Sequence, residues 1–120
     1  MKAAMALVDA TQPLPNVDVG RLAPRARAAS EFLKALAHES RLKILCDLLH
    51  GEKSVGELEA LLARRQSSVS QQLARLRLEG LVSARRDGKT IYYSIASDKA
   101  RSIISALYSA FCDVEPSRAA

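Results

Sequence analysis

Long apolar runs are missing from this sequence of 120 residues. A membrane-spanning helix needs about 20 consecutive apolar residues, and no stretch approaches that length. Residues 1–8 hold one positive charge and a short apolar patch, which is less than a secretory signal requires. We therefore expect a cytoplasmic protein that does not bind a membrane, and the length predicts a single domain with a modest core.

Cysteine is also scarce. Cys46 and Cys112 lie 66 positions apart and neither belongs to a CxxC pair, which excludes a local thioredoxin-like or four-thiolate zinc site. A reducing cytosol also disfavours a permanent disulfide. The residues by themselves leave two interpretations open: two buried, inert thiols of the kind common in protein cores, or a reactive pair that the fold brings together.

The features of an enzyme are missing too. The sequence shows no acid/base constellation and no glycine-rich loop that could cradle a phosphate. We therefore expect no catalytic activity, and nothing in the sequence calls for a cofactor.

Positive charge, by contrast, is concentrated in one segment. Seven basic and only two acidic residues lie between Arg64 and Lys89, and outside this segment the two signs are equal in number. The whole net charge of +5 thus belongs to 26 residues. Such a segment suits a polyanion such as nucleic acid, whereas a merely solvated face is expected to mix both signs.

Apolar spacing predicts four helices in the first two thirds of the chain, at residues 21–37, 39–50, 55–62 and 68–79. Ser54-Val55-Gly56-Glu57 is a capping-box sequence at the start of the third helix, and Ser67 is the expected N-cap of the fourth. The predicted core residues of the second and fourth helices are Leu42, Leu45, Leu49, Val69, Leu73 and Leu76. The third and fourth helices, joined by a four-residue turn, form a predicted helix-turn-helix unit.

Beyond the fourth helix the apolar period changes from helical to alternating. Asp87-Gly88 separates two alternating runs, which predicts a β-hairpin. A last helix is predicted over residues 97–112. The predicted domain, residues 21–113, is mainly helical with the order α-α-α-α-β-β-α, between a flexible arm (1–20) and a loose tail (114–120).

One face of the fourth predicted helix suits contacts with DNA. Four polar side chains share the side opposite its apolar stripe: Ser68, Gln71, Gln72 and Arg75. Glutamine can pair with adenine through two hydrogen bonds, while serine and arginine can contact bases or phosphates. The predicted hairpin tip adds three cations: Arg85, Arg86 and Lys89.

Three segments closely resemble the ArsR/SmtB family of repressors. They are LAHESRLKIL (residues 36–45), SSVSQQLARLRLEGLV (67–82) and RRDGKTIYY (85–93), within a match over roughly residues 25–112. The resemblance implies a winged helix-turn-helix homodimer, paired through its first and last helices. Such a dimer binds inverted-repeat operator DNA and releases it when an inducer binds. The full set of expected DNA contacts is Arg64, Arg65, Gln66, Ser68, Ser70, Gln71, Gln72, Arg75, Arg85, Arg86 and Lys89.

The two metal sites usual in that family are missing from this sequence. Ser54 and Gly56 occupy the positions of the cysteine box, and the last helix has Asp98 but no histidine. We therefore expect no metal site. Cys46, Cys112 and the segment ALYSAFC (106–112) are instead similar to a sulfide-responsive, biofilm-growth-associated subgroup. That similarity implies that persulfides or other oxidants bridge the two thiols within a protomer, lowering DNA affinity and derepressing genes for sulfide detoxification.

Other inducers remain open at this point. Arsenite, a soft metal, haem or peroxide could act through the same thiols, and His50, four residues after Cys46, could supply a third ligand or favour a thiolate. A DNA-binding protein without any ligand is a further alternative. Any thiol switch requires the fold to pack the two cysteine-bearing helices together, because a direct disulfide needs Cα atoms about 5.5–6 Å apart.

Overall fold

The computed structural model describes residues 15–63 and 66–112, and the side chains of all of these except residues 66 and 67. Within these ranges helices dominate and three strands form one small sheet. In chain order the elements are α1 Val19–Leu22, a 3-10 turn Ala23–Arg25, α2 Ala26–Leu36, α3 Glu39–Leu48, β1 Lys53–Ser54, α4 Val55–Leu62, α5 Gln66–Leu78, β2 Val82–Asp87, β3 Thr90–Ile95 and α6 Asp98–Cys112. The predicted class, helical with a β-hairpin wing, is confirmed.

The prediction of one continuous first helix over 21–37 is wrong. Asp18 accepts a hydrogen bond from the backbone N–H of Gly20 at 2.9 Å, so helical backbone begins at Val19, inside the predicted arm. Pro24 lies in the 3-10 turn that divides α1 from α2, where its fixed φ and missing N–H interrupt the helix. Residues 1–14 of the arm and the tail 114–120 lie outside the described residues, so their predictions stay untested.

Helix α3 ends two residues earlier than predicted, and its buried stripe is shifted. Ile44 and Leu48 join Leu45 in the core, while Leu42 and Leu49 are only half-buried. Leu42 therefore lies at the edge of the core and not inside it. Arg41 and Cys46 are likewise half-buried, which leaves both side chains available for polar contacts.

The helix-turn-helix unit follows the sequence closely. The capping box of α4 is confirmed: Ser54 Oγ accepts from the N–H of Glu57 at 3.2 Å, and Glu57 Oε1 accepts from the N–H of Ser54 at 2.7 Å. Helix α5 starts at Gln66, so the prediction of Ser67 as its N-cap is wrong. The predicted stripe of α5 is confirmed, since three residues have no exposed surface: Val69, Leu73 and Leu76.

Two glycines shape the entry to the wing and its tip. Gly80, at a φ of 77°, ends α5 in a Schellman arrangement, in which the N–H of Leu81 bonds to the carbonyl of Leu76 at 2.9 Å. Asp87 pairs with Thr90, so Gly88 and the residue after it form a two-residue hairpin connection with a φ of 65° at the glycine. The short strand β1, which carries no alternating pattern, adds to the sheet in the order β1-β3-β2.

Helix α6 closes the domain. Ser97 Oγ accepts from the N–H of Ala100 at 3.0 Å at its start, and Ala100 and Ile104 are buried. It packs against α3 and β3, which places the two cysteine-bearing helices side by side. None of the helices in the described ranges has the length and apolar character of a membrane span.

Candidate nucleic-acid interface and thiol groove

Helix α5 turns its apolar stripe to the core and its polar side outward. Among the predicted contact residues on α5, Ser70, Gln71 and Arg75 are exposed. Ser68 and Gln72 are half-buried at the edge of the same face. A protruding helix face of this composition can donate and accept hydrogen bonds at base edges in a major groove.

Three predicted contacts precede this face. Arg64 and Arg65 lie outside the described residues. For Gln66 the structure gives only the backbone, as the first residue of α5. All three stay predictions.

Gln72 has a hydrogen-bond partner inside the protein. Nη1 of Arg41, on α3, donates to Oε1 of Gln72 at 2.9 Å. The same guanidinium donates through Nε to the carbonyl of Ala35 at 2.6 Å and through Nη2 to the carbonyl of Lys34 at 3.4 Å. One side chain thus links the last turn of α2 to the polar face of α5.

Arg75 is exposed and forms an ion pair along its own helix. Its Nε lies 3.3 Å from Oε2 of Glu79, four residues later. Both charges act on Arg41, whose pKa is lowered first by burial and then by Arg75, while Glu79 raises it. An exposed pair at this spacing contributes only about 0.3–0.5 kcal/mol, so Arg75 can exchange Glu79 for a phosphate at little cost.

In the wing, Arg85 is held by a bidentate ion pair. Its Nε and Nη2 donate to the two carboxylate oxygens of Glu52 at 2.8 and 2.7 Å, and its guanidinium lies 4.8 Å from the ring centroid of Tyr92. The hydrogen bonds to Glu52 raise the pKa of Arg85, and those from Arg85 lower the pKa of Glu52. The charge of this predicted DNA contact is thereby neutralised within the protein.

The other two wing cations are exposed, and no salt bridge among the described residues engages Arg86 or Lys89. Lys89 borders a groove of about 290 Å³ between α4 and the wing, which also includes the cysteine-box positions Ser54 and Gly56. Over residues 15–63 and 66–112 no group of three or more His, Cys, Asp or Glu side chains could hold a metal ion.

A second groove, of about 370 Å³, brings the two cysteines together. Its lining residues come from α3 and the residues after it, from α4 and from α6: Leu42, Lys43, Cys46, Asp47, His50, Leu61, Tyr108 and Cys112. We call this the thiol groove. The fold packs both cysteine-bearing helices around one opening.

The two thiols differ in their surroundings. Cys46 is half-buried and Cys112 is exposed, and neither forms a disulfide. Burial raises the pKa of Cys46, and the neighbouring Cys112 raises it further. This direction is opposite to the thiolate activation considered for His50, although His50 does line the groove. Because Cys112 is the more exposed thiol, it is the one that a reagent in solution reaches first.

Arg41 and Glu52 are polar residues of the site that sequence reasoning missed. Arg41 lies 31 positions from Gln72, and Glu52 lies 33 positions from Arg85. No local spacing predicts either contact, because each joins separate elements. Arg41 gave no distinct signal of its own, because the same helix also carries the charged residues Glu39, Lys43 and Asp47.

Comparison with known proteins places the chain among bacterial regulators. The model of the family described as "Bacterial regulatory protein, arsR family" matches residues 38–84. A biofilm growth-associated repressor of Agrobacterium fabrum is 48% identical over 103 residues, which cover 86% of this chain and 84% of that protein. The transcriptional activator HlyU of Vibrio cholerae is 46% identical over 81 residues, covering 68% of this chain and 75% of HlyU.

A solved structure agrees with the sequence comparison. The crystal structure of the transcriptional repressor BigR from Xylella fastidiosa superposes with a TM-score of 0.76 at 41% identity. The match covers 80% of this chain and 98% of that one. These likenesses confirm the winged helix-turn-helix class, and the names of the relatives are those of transcriptional regulators, not of enzymes.

Proposed function

The chain belongs to the arsR family of bacterial regulatory proteins, and on that premise we propose that it is a homodimeric repressor switched by its two thiols. In the reduced state it binds operator DNA of inverted-repeat sequence through α5 and the wing. A persulfide or another oxidant then joins Cys46 to Cys112, DNA is released, and genes for sulfide detoxification are derepressed.

The thiol groove is the observation that carries this proposal. Cys46 and Cys112 are 66 positions apart in sequence, yet both line one opening between α3 and α6. Cys112 is exposed, so a small oxidant in solution can reach it. Cys46 is half-buried, and burial raises its pKa, which makes it the less accessible of the two thiols to an oxidant in solution.

The chemistry needs only a persulfide, written RSSH, as co-reactant. The thiolate of Cys112 attacks the outer sulfur of RSSH, the S–S bond breaks, and RSH leaves while Cys112 becomes a persulfide. The thiolate of Cys46 then attacks the inner sulfur of that persulfide and expels H₂S, which closes a disulfide. If both cysteines become persulfides first, attack of one on the other expels one H₂S and leaves a trisulfide.

Exposed apolar side chains support the dimer. Large hydrophobic residues at the N-terminal helices and on α6 have about half or more of their surface in solvent: Val19, Leu22, Leu33, Tyr108 and Phe111. Apart from Ala35 and Leu36 no residue of α1 or α2 is fully buried. An apolar surface of this kind, on the first and last helices, suits a second copy of the chain.

Release follows if the bridged form has the lower affinity for DNA. A sulfur bridge ties the C-terminal end of α6 to α3, and α6 belongs to the proposed dimer surface. Repositioning α6 there changes the separation of the two α5 helices. Because half-sites recur at about 34 Å, one turn of DNA, a small change of separation weakens binding by both protomers at once.

The test treats reduced protein with a persulfide donor and measures intact mass and DNA affinity on the same samples. The DNA is the duplex that the reduced protein enriches from a random-sequence pool. We expect a loss of two hydrogens, or a gain of one sulfur with that loss, together with weaker binding. Parallel samples with a disulfide reagent and with peroxide identify which oxidant acts.

Cys46→Ser and Cys112→Ser are matched controls, because each removes one thiol and leaves the DNA-facing residues intact. Both variants should bind DNA like the reduced protein and keep that affinity after treatment. A bridged protein that binds DNA as tightly as the reduced one would refute the thiol switch. Absence of any enriched duplex would refute DNA binding itself.

A further inference from the structure

We propose that Arg41 determines which base Gln72 recognises, because its hydrogen bond holds Oε1 of Gln72 and leaves Nε2, with its two donors, as the unengaged end of the carboxamide. Arg41 lies on α3, outside the helix-turn-helix unit, and belongs to no predicted set of DNA contacts. The inference rests on the proposed function, since it presupposes that α5 enters a DNA groove.

The chemistry of the two side chains fixes how the carboxamide of Gln72 is turned. A guanidinium has five N–H donors and no acceptor. The Gln72 atom that lies 2.9 Å from Nη1 of Arg41 is therefore the oxygen, Oε1. The other end of the carboxamide, Nε2, carries two donor hydrogens and no lone pair for a further contact.

Arg41 is held in place without help from Gln72. Its Nε and Nη2 donate to the carbonyls of Ala35 and Lys34 in the last turn of α2, where carbonyls lack partners within the helix. Arg41 and Gln72 are both half-buried, and a hydrogen bond shielded from water is stronger than an exposed one. If Gln72 gave up its bond to Arg41 to offer both ends of its carboxamide to DNA, a partly buried N–H donor of Arg41 would be left without a partner.

Adenine and guanine differ in how well they can bind a glutamine whose oxygen already accepts a hydrogen bond from Arg41. Adenine presents an acceptor, N7, beside a donor, N6, so its two-bond contact requires Oε1 of Gln72 to accept from Arg41 and from N6 at once, with both donors in suitable directions. Guanine presents two neighbouring acceptors, N7 and O6, which Nε2 alone can satisfy. Gln72 therefore favours guanine over adenine, whereas the exposed Gln71, which no described side chain holds through a hydrogen bond, keeps both ends for either base.

The experiment selects preferred duplexes from a half-site pool with randomised bases. The wild type, Gln72→Ala, Arg41→Met and the double variant are compared. The position whose preference disappears in Gln72→Ala marks the base that Gln72 contacts. There we expect guanine for the wild type and, for Arg41→Met, a guanine-to-adenine ratio lower by roughly fivefold or more. In the Gln72→Ala background, Arg41→Met should change nothing at that position.

Gln72→Glu provides a second measurement, needed if Arg41→Met does not fold by circular dichroism. A carboxylate accepts from Arg41 as Gln72 does but has no donor, so the guanine preference should disappear. An unchanged preference in a folded Arg41→Met, a guanine preference retained by Gln72→Glu, or no change in Gln72→Ala would each overturn the inference. A wild type that enriches no sequence would instead refute the proposed function.

Discussion

Helix α5 and the wing both carry predicted DNA contacts, yet different forces hold the two regions in place. Val69, Leu73 and Leu76 anchor α5 with no exposed surface. The outer part of the wing is exposed and is held by the Arg85–Glu52 ion pair and by a 3.2 Å hydrogen bond between the hydroxyls of Ser83 and Ser94.

The difference sets how each region responds to its surroundings. Burial of a leucine or valine side chain contributes about 1.5–3 kcal/mol and is insensitive to moderate salt. An exposed ion pair contributes about 0–1 kcal/mol and is screened by salt. The position of α5 is therefore fixed by the core, whereas the wing is adjustable, and its arginine can exchange an internal carboxylate for a phosphate.

The largest effect should come from the anchor of α5. Leu73→Ala leaves a cavity in the core, and we expect the free energy of unfolding to fall by about 2–5 kcal/mol. Leu78→Ala is the matched control, since it makes the same change on the same helix where the side chain is 84% exposed. Its effect should stay within about 0.5 kcal/mol. Chemical denaturation measures both, and equal losses would contradict the proposed anchoring.

A smaller effect should come from releasing the wing arginine. Glu52→Gln removes the carboxylate that binds Arg85 most closely and leaves only the longer 3.9 Å pair with Asp87, so we expect DNA affinity to rise roughly threefold or more at low salt. The slope of log K against log salt should steepen by about 0.9 for one added phosphate contact. Fluorescence anisotropy over a salt series measures both quantities.

Glu31→Gln is the control for this prediction. It removes one negative charge from α2, where Glu31 pairs with Lys34 at 3.4 Å, away from the wing. We expect the salt slope of this variant to equal that of the wild type. If both variants steepened the slope alike, net charge and not the released Arg85 would be responsible.

The smallest effect concerns pH. Arg85 lowers the pKa of Glu52 below its ordinary value of 4.5, so the pair stabilises the fold fully above that value. The contribution is lost as the pH falls through the lowered pKa. The stability difference between wild type and Glu52→Gln should therefore be constant near neutrality and vanish in acid, as followed by denaturation down to about pH 3. A difference that persisted in acid would exclude the ion pair as its source.

The sequence predicted best those elements whose determinants are close together in the chain. The capping box lies within four residues, the stripe of α5 repeats every three or four, and Gly88 marks the hairpin tip. Prediction from the sequence failed where a single residue overrode the helical spacing of apolar residues. Pro24 divided a helix whose apolar spacing looked continuous, and α5 began at Gln66, ahead of the serine expected to cap it.

The candidate site divides in the same way. The polar face of α5 and the cations of the wing can be predicted from residue type and spacing. Once the buried apolar positions are known, the remaining positions form the exposed face. Residue type and spacing do not show whether those side chains have hydrogen-bond partners inside the protein. Gln72 and Arg85 are each held by a residue more than 30 positions away, and only three-dimensional packing brings such partners within hydrogen-bond distance.

The sequence by itself determined the fold class, the family and the placement of positive charge, because helical period, capping and turn chemistry act over a few residues. The tertiary structure alone decided that Cys46 and Cys112 share a groove, that Arg41 holds the oxygen of Gln72 and that Glu52 neutralises Arg85. Each of these joins separate elements. Their distances depend on how helices and strands pack, and no local pattern in the chain encodes that packing.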